Sequence, residues 1–412
     1  MKCFYQHIIL FALILGIGQS VRAQALQQLL VQADTSNLEL KALYQEYLAS
    51  LEKAPQVSQL PEPEAGVGLF PLPVETRLGA QWVRLSATQM FPWKGTLDAR
   101  KEVALAMANT QYEKVAAARL ELHFSVKEAW FQLYEISAKQ QILKESISIF
   151  ETLESISTTK VETGKGSLAD VLRIQVKIRG LREELNILES QKEKPVSTIN
   201  RLLNRPAGTT VQMVSELNLA VPVYNRDSIL SNIRTNHPML RMFSLQQETA
   251  RKNITLNALE GKPSLSAGLD YISVAKRTDA DPTSNGRDIL SPRLGVRVPI
   301  YREKYRAKEQ EERLKIEALE IWKDERFLQF RAAIEKAYAE LEQERLKYNL
   351  YADQRETTQS AIDLMLSQYS TENAGFVDLL MLEDQLIQYD LMQLSAIVNT
   401  HLAQAKIERY IP

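Results

Sequence analysis

The chain is poor in the residues that carry most reaction chemistry. Its one cysteine, Cys3, lies near the start of the 412 residues. It precedes the apolar stretch 8–17, which follows Lys2 and leads to Val21-Arg22-Ala23. That order reads as a secretory signal peptide over 1–23, because the apolar run is too short to span a bilayer. The mature chain is then expected to begin near Gln24, with neither a thiol nor a disulfide. A lipoprotein signal would put its cysteine after the apolar run, so lipidation is not expected. Beyond 23 no apolar run approaches the ~20 residues of a spanning helix, so a membrane would have to be entered with strands. A basic excess is also missing. Without Lys2 and Arg22, 48 basic residues face 51 acidic ones, and nothing points to nucleic acid.

Histidines are scarce too. His123, His237 and His401 lie far apart, without metal-ligand spacing, and read as solvated or core residues. The sequence shows no nucleophile–base constellation, no phosphate-cradling loop and no paired catalytic carboxylates. An enzyme is not expected, and no metal or cofactor is called for.

What the chain does have is a repeated polar break. Segment 161–172 carries Gly164, Gly166 and Asp170, and segment 369–380 carries Tyr369, Gly375 and Asp378. Each aspartate opens an Asp-hydrophobic-Leu trio, and the two stand 208 residues apart. Each break separates two long apolar-periodic runs, so a duplicated unit is expected, each copy a long helix turning back on itself.

The first copy is placed at 24–208. A helix over about 34–54 ends in the Pro- and Gly-rich 55–73. Period-two alternation gives strands at about 64–70 and 81–91, with Val83, Leu85 and Ala87 opposing Arg84, Ser86 and Thr88. A hairpin follows over 95–204. In its long arm Leu122, Val126, Ala129, Leu133, Ile136, Leu143, Ile147 and Phe150 step by fours and threes, with Gln140 as the polar intruder. About 68 residues at ~1.5 Å each make that arm a rod on the order of 100 Å. Ser167 reads as the N-cap of the return helix, and Pro195 as the place where it bends. A connector, 209–226, leads to the second copy at 227–412, with a helix to about 260 and strands at about 264–274 and 292–300. Its hairpin, 303–410, has Phe330, Ile334, Ala337, Leu341, Tyr348 and Tyr351 in the matching seam. Charge runs such as 308–313 read as the wet face of a helix, and Trp130 and Tyr338, at matching positions, as packing.

Four strands cannot close a barrel, since the smallest membrane barrels use about eight. Their length nevertheless suits the ~9–11 residues that cross a bilayer. Aromatic residues mark their ends: Trp82, Phe91, Trp93, Tyr271 and Tyr301, where a membrane-interface girdle would sit. The polar faces carry arginines suited to a water-filled lumen. Several chains are therefore expected to share one barrel.

In this order the motifs resemble the TolC-type outer-membrane efflux proteins over essentially the whole mature chain. The marks are Tyr369 with Asp378-Leu-Leu380, Gly164 with Asp170-Val-Leu172, Ile199-Asn-Arg-Leu-Leu-Asn204, and Phe91-Pro-Trp-Lys-Gly95. The last resembles the heavy-metal and multidrug branches. The resemblance implies a mostly α fold with a small β part, assembled as a homotrimer. A twelve-stranded outer-membrane β-barrel would continue as a periplasmic α-helical barrel. It implies a passive exit duct for drugs, metal ions or other exported substrates, working with a periplasmic adaptor and an inner-membrane pump of RND or ABC type. It also places Asp378 in a carboxylate ring at the periplasmic tip and bonds Asp170 across to Tyr369. Departures are visible: Ala374 stands where the family has an arginine, and Met381 where it has a second gate carboxylate, with Glu383 and Asp384 nearby. Val161 stands in the place of Tyr369, and Glu372 in that of Gly164. The rival reading is a periplasmic coiled-coil adaptor.

Overall fold

The computed structural model describes residues 24–214, 216–221, 225–371 and 375–412. The expected leader and the departures at Glu372 and Ala374 lie outside the described residues. The first copy contains α1 (Gln24–Ser36), α2 (Leu38–Leu51), α3 (Lys53–Val57), β1 (Glu64–Thr76), β2 (Gly79–Phe91), α4 (Thr96–Glu162), α5 (Leu168–Gln191) and α6 (Glu193–Leu202). The second contains α7 (Arg226–Asn236), α8 (Pro238–Glu260), β3 (Ser264–Val274), β4 (Ile289–Arg297), α9 (Glu303–Thr371) and α10 (Phe376–Glu408). The short helices differ from expectation in being broken, at Asn37 and His237. His237 precedes a proline and is driven to extended backbone, with ψ 127°. At Asn37 the side chain caps the next helix, accepting from the Leu40 amide at 3.0 Å.

The chain forms two compact units, and each draws on both copies. One comprises 24–42, 115–238 and 326–412. Its interior is two apolar clusters. Val126, Ala129, Trp130, Leu133, Ile199 and Val398 belong to one; Phe150, Ile174, Ile178, Ile362, Tyr369 and Leu379 belong to the other. Each fully buried side chain of this size contributes about 1.5–3 kcal/mol. The expected seam is buried except for Ile136, Tyr348 and Tyr351, which are half-buried. Gln140 is tolerated in it because its amide donates to Glu189 at 2.9 Å. The return helix breaks at Lys192, and Pro195 sits in the first turn of α6, where its missing N–H costs nothing.

The other unit comprises 43–114 and 239–325. It contains one antiparallel sheet in the order β1-β2-β3-β4, so β1 and β4 are its edges. β3 falls where the alternation predicts it. β1 runs past 70 to Thr76, because Pro71 and Pro73 stand on an edge strand at an irregularity between Leu69 and Val74. β4 begins three residues earlier than expected. Its ladder with β3 reaches from Ile289 opposite Ile272 to Arg297, and Val298 and Ile300 fall outside it beside Pro299, which has no N–H to give. The helices of this unit pack on small residues, among them Ala104, Ala106 and Ala108. Residues 308–313 are not uniformly wet. Glu312 is buried, and Lys308 and Lys315 each reach it at 2.9 Å.

Candidate functional site

The two helical turns lie in the first unit. At the end of α4 the Lys165 amide donates to the Lys160 carbonyl at 2.8 Å, and the Gly164 amide to the Val161 carbonyl at 3.0 Å. This paired closure needs a left-handed residue, and Gly164 supplies it with φ 69°. Gly166 is required for space: a Cβ there would lie 2.8 Å from the Lys160 Cβ and 2.9 Å from the Val161 amide nitrogen. Ser167 caps α5 as expected, accepting from the Ala169 amide at 3.2 Å. Asp170 follows in the first turn, where the helix dipole favours a carboxylate. Arg173, one turn on, donates to it at 3.2 Å.

The expected bond between Asp170 and Tyr369 does not form within this chain. Tyr369 is buried, and its hydroxyl lies 3.2 Å from Ser157 Oγ. The Lys160 ammonium sits 3.7 Å from the Tyr369 ring centroid and also donates to the Tyr369 carbonyl. Asp170 is already satisfied by Arg173 in its own helix, and Tyr369 is turned to α4 instead. A second tie joins the hairpins lower down, where Lys177 of α5 meets Asp384 of α10 at 2.6 Å.

In α10 the residues sort by face. Phe376, Leu379, Glu383 and Leu386 are buried, while Asp378, Met381, Gln385 and Gln388 are exposed at helical spacing. Asp378 has no ion pair among the described residues. Glu383, considered as a second gate carboxylate, faces inward. Burial pushes its carboxyl above the usual range, and the Asp384 and Asp363 charges push it further. Asp384 is taken by Lys177. Of Asp378, Glu383 and Asp384 on α10, Asp378 is the one both free of an ion pair among the described residues and exposed.

The sheet lies in the second unit and is sided. Val67, Leu69, Leu85, Leu265, Leu269, Leu294 and Val296 share one face and are all exposed. The opposite face carries Arg84, Ser86, Thr88, Asp270, Arg293 and Arg297. Trp82, Phe91, Trp93, Tyr271 and Tyr301 are exposed. Phe91 stands opposite Leu265 at one end of the sheet, whereas Tyr271 pairs with Leu85 and Leu290 toward the other. The Tyr271 hydroxyl donates to Asp288, which anchors the following loop.

The histidines are dispersed. His123 lies 2.7 Å from Asp34, His401 lies 2.7 Å from the Asn218 carbonyl, and His237 packs between Phe330 and Tyr410. Burial lowers the His237 pKa to about 4. Trp130 packs against Phe131 and Tyr134, and Arg226 covers the Tyr338 ring. Ser157, Lys160, Lys177 and Asp270 escaped the sequence reading. Asp270 alone carried a signal, since a carboxylate inside a strand is unusual without a partner.

No family model and no curated protein matches this sequence. Solved structures do. The outer-membrane channel OprN is 16% identical, with 94% of this chain and 89% of that one covered at a TM-score of 0.73. CusC, whose crystal structures bear on folding and transmembrane channel formation, is 13% identical over 94% of this chain and 92% of its own, at 0.75. The MtrE outer membrane channel of Neisseria gonorrhoeae, in its open state, is 18% identical over 94% and 88%, at 0.71. At such identities the likeness is one of fold. The chain has the fold of the TolC-type outer-membrane channels.

Proposed function

We propose that this protein is a passive outer-membrane exit duct that works as a homotrimer. The observation that carries this reading is the sided sheet. Its apolar face is exposed along all four strands, a continuous patch that water does not favour and lipid would cover. Its polar face suits an aqueous lumen, and its two edges, β1 and β4, need partners. Three copies joined edge to edge give twelve strands, enough for an open barrel. Trp82, Phe91, Trp93, Tyr271 and Tyr301 would then meet the lipid headgroups.

In this reading the two sequence copies supply equivalent hairpins to a periplasmic helical barrel. Their turns, with Gly164, Gly166, Asp170, Tyr369, Gly375 and Asp378, form its gated tip. The tip meets a periplasmic adaptor, and an inner-membrane pump of RND or ABC type supplies the energy. The cargo is set largely by that pump and is drawn from drugs, metal ions or other exported substrates. A periplasmic coiled-coil adaptor would leave the apolar sheet face uncovered, which favours the duct.

The test is fractionation followed by reconstitution. The duct reading expects the protein in outer-membrane fractions, as a trimer that conducts ions in planar bilayers. Recovery as a soluble periplasmic protein would overturn it in favour of the adaptor.

A further inference from the structure

The polar face of the sheet has an uneven charge. Arg84 on β2, Asp270 on β3 and Arg293 on β4 form one cluster. Arg84 reaches Asp270 at 2.5 Å, and Arg293 approaches it at 3.7 Å. Asp270 is 6% exposed, whereas the arginine side chains remain 39% and 49% exposed. One hidden carboxylate therefore holds two accessible guanidinium groups, and the cluster keeps one positive charge. Arg293 is anchored a second time, donating to Thr88 Oγ1 at 3.0 Å.

The backbone makes room for this arrangement. Gly68 is the β1 partner of Arg84, and Gly268 the β3 partner of Arg293. A Cβ at Gly268 would lie 3.0 Å from Thr88 Oγ1 and 3.5 Å from Arg293 Nε. The remaining strand charges on this face, Arg297 and Glu64, cancel, as do Glu75 and Arg77 at the β1–β2 turn. So do the charges of the loop 275–288, where Lys276, Arg277 and Arg287 face Asp279, Asp281 and Asp288. The surplus belongs to the cluster alone.

We propose that this face is an anion-preferring section of the duct wall, with Arg84 and Arg293 as specificity-determining residues and Asp270 as the residue that positions them. The inference rests on the reading of the chain as a trimeric duct. Three such clusters would ring the lumen, where low-dielectric walls focus their field on a passing ion. Guanidinium groups stay charged at any physiological pH and match carboxylate and phosphate oxygens in pairs. The ligand class is therefore small anions, and carboxylate- or phosphate-bearing cargo.

The test is the reversal potential of the full mature trimer in a planar bilayer under a potassium chloride gradient. Replacing both arginines (R84Q/R293Q) lowers the chloride-to-potassium permeability ratio by about twofold or more. Asp270→Asn, which keeps both guanidinium groups, moves the ratio the opposite way. The charge-keeping pair R84K/R293K stays near the wild-type ratio, which separates charge from a merely structural effect. A ratio unmoved by R84Q/R293Q, or lowered equally by R84K/R293K, overturns the anion preference while leaving a conducting duct. A folded trimer with no conductance overturns the duct reading itself.

Discussion

The two helical turns stand at matching positions in the sequence, and the described residues around them are supported differently. The first is closed from within. Its backbone bonds, its glycines, the Ser167 cap and the Asp170–Arg173 pair all lie inside 160–173. On the described residues that flank the second, Tyr369 is clasped by Ser157 and Lys160 of the first hairpin and packs on Phe376. Lys160 serves both turns, its carbonyl closing the first and its ammonium gripping the second. The second hairpin therefore takes part of its support from the first.

Breaking the clasp should have the largest effect. Tyr369→Ala removes a buried ring and is expected to cost about 3–5 kcal/mol of local stability. Hydrogen exchange should quicken more in 362–386 than in 168–191, whose Ile174 and Ile178 share the apolar cluster of Tyr369. Tyr369→Phe loses only the bond to Ser157, about 1 kcal/mol. Equal loosening of both hairpins by Tyr369→Ala would end the contrast.

Gly166→Ala attacks the shared residue. Its Cβ would press on the Lys160 side chain and the Val161 backbone, so overpacking should cost about 1–3 kcal/mol. Because Lys160 moves, exchange should quicken at both turns. An effect confined to the first turn would show that the Lys160 grip on Tyr369 does not hold the second.

A smaller, pH-dependent effect separates the turns further. Glu383 is buried beneath the second, with its folded pKa raised by burial and by Asp384 and Asp363. A carboxyl whose folded pKa exceeds its unfolded value costs stability above the folded pKa. That cost fades as pH falls through the folded pKa toward the unfolded one. The second hairpin should therefore tighten as pH falls from neutrality toward the ordinary carboxylate range, after correction for intrinsic exchange. Glu383→Gln should tighten it at neutral pH and flatten the trend. A wild-type hairpin that loosens over this range would contradict the sign.

The same division explains what the sequence disclosed. The α4 and α9 boundaries, β3, Gly164 and the Ser167 cap depend on local periodicity or local hydrogen bonds, and they were legible. The ends of β1 and β4 depend on which strand lies alongside, so alternation alone misplaced them by several residues. The clasp was invisible because Lys160 and Tyr369 stand 209 residues apart. The break before Pro238 was legible in principle, because proline constrains the residue it follows, but the apolar periodicity masked it.

The last contrast is between the two aspartates, and stability will not reveal it. Both lie in a first helical turn, Asp170 half-buried and Asp378 exposed, and substitution of the exposed Asp378 should change stability by no more than about 0.5 kcal/mol. They differ in company. Asp170 is neutralised by Arg173, while Asp378 has no ion pair among the described residues and shares the exposed face of α10 with Met381. If three copies bring Asp378 together at a narrow mouth, like charges repel there and a divalent cation stabilises the closed tip. Asp378→Asn should raise leak conductance in planar bilayers and weaken block by divalent cations about threefold. The paired replacement D170N/R173Q should leave the block unchanged, because it removes two charges that already balance. Equal effects from the two variants would erase the asymmetry, and an unchanged block with Asp378→Asn would remove that residue from the gate.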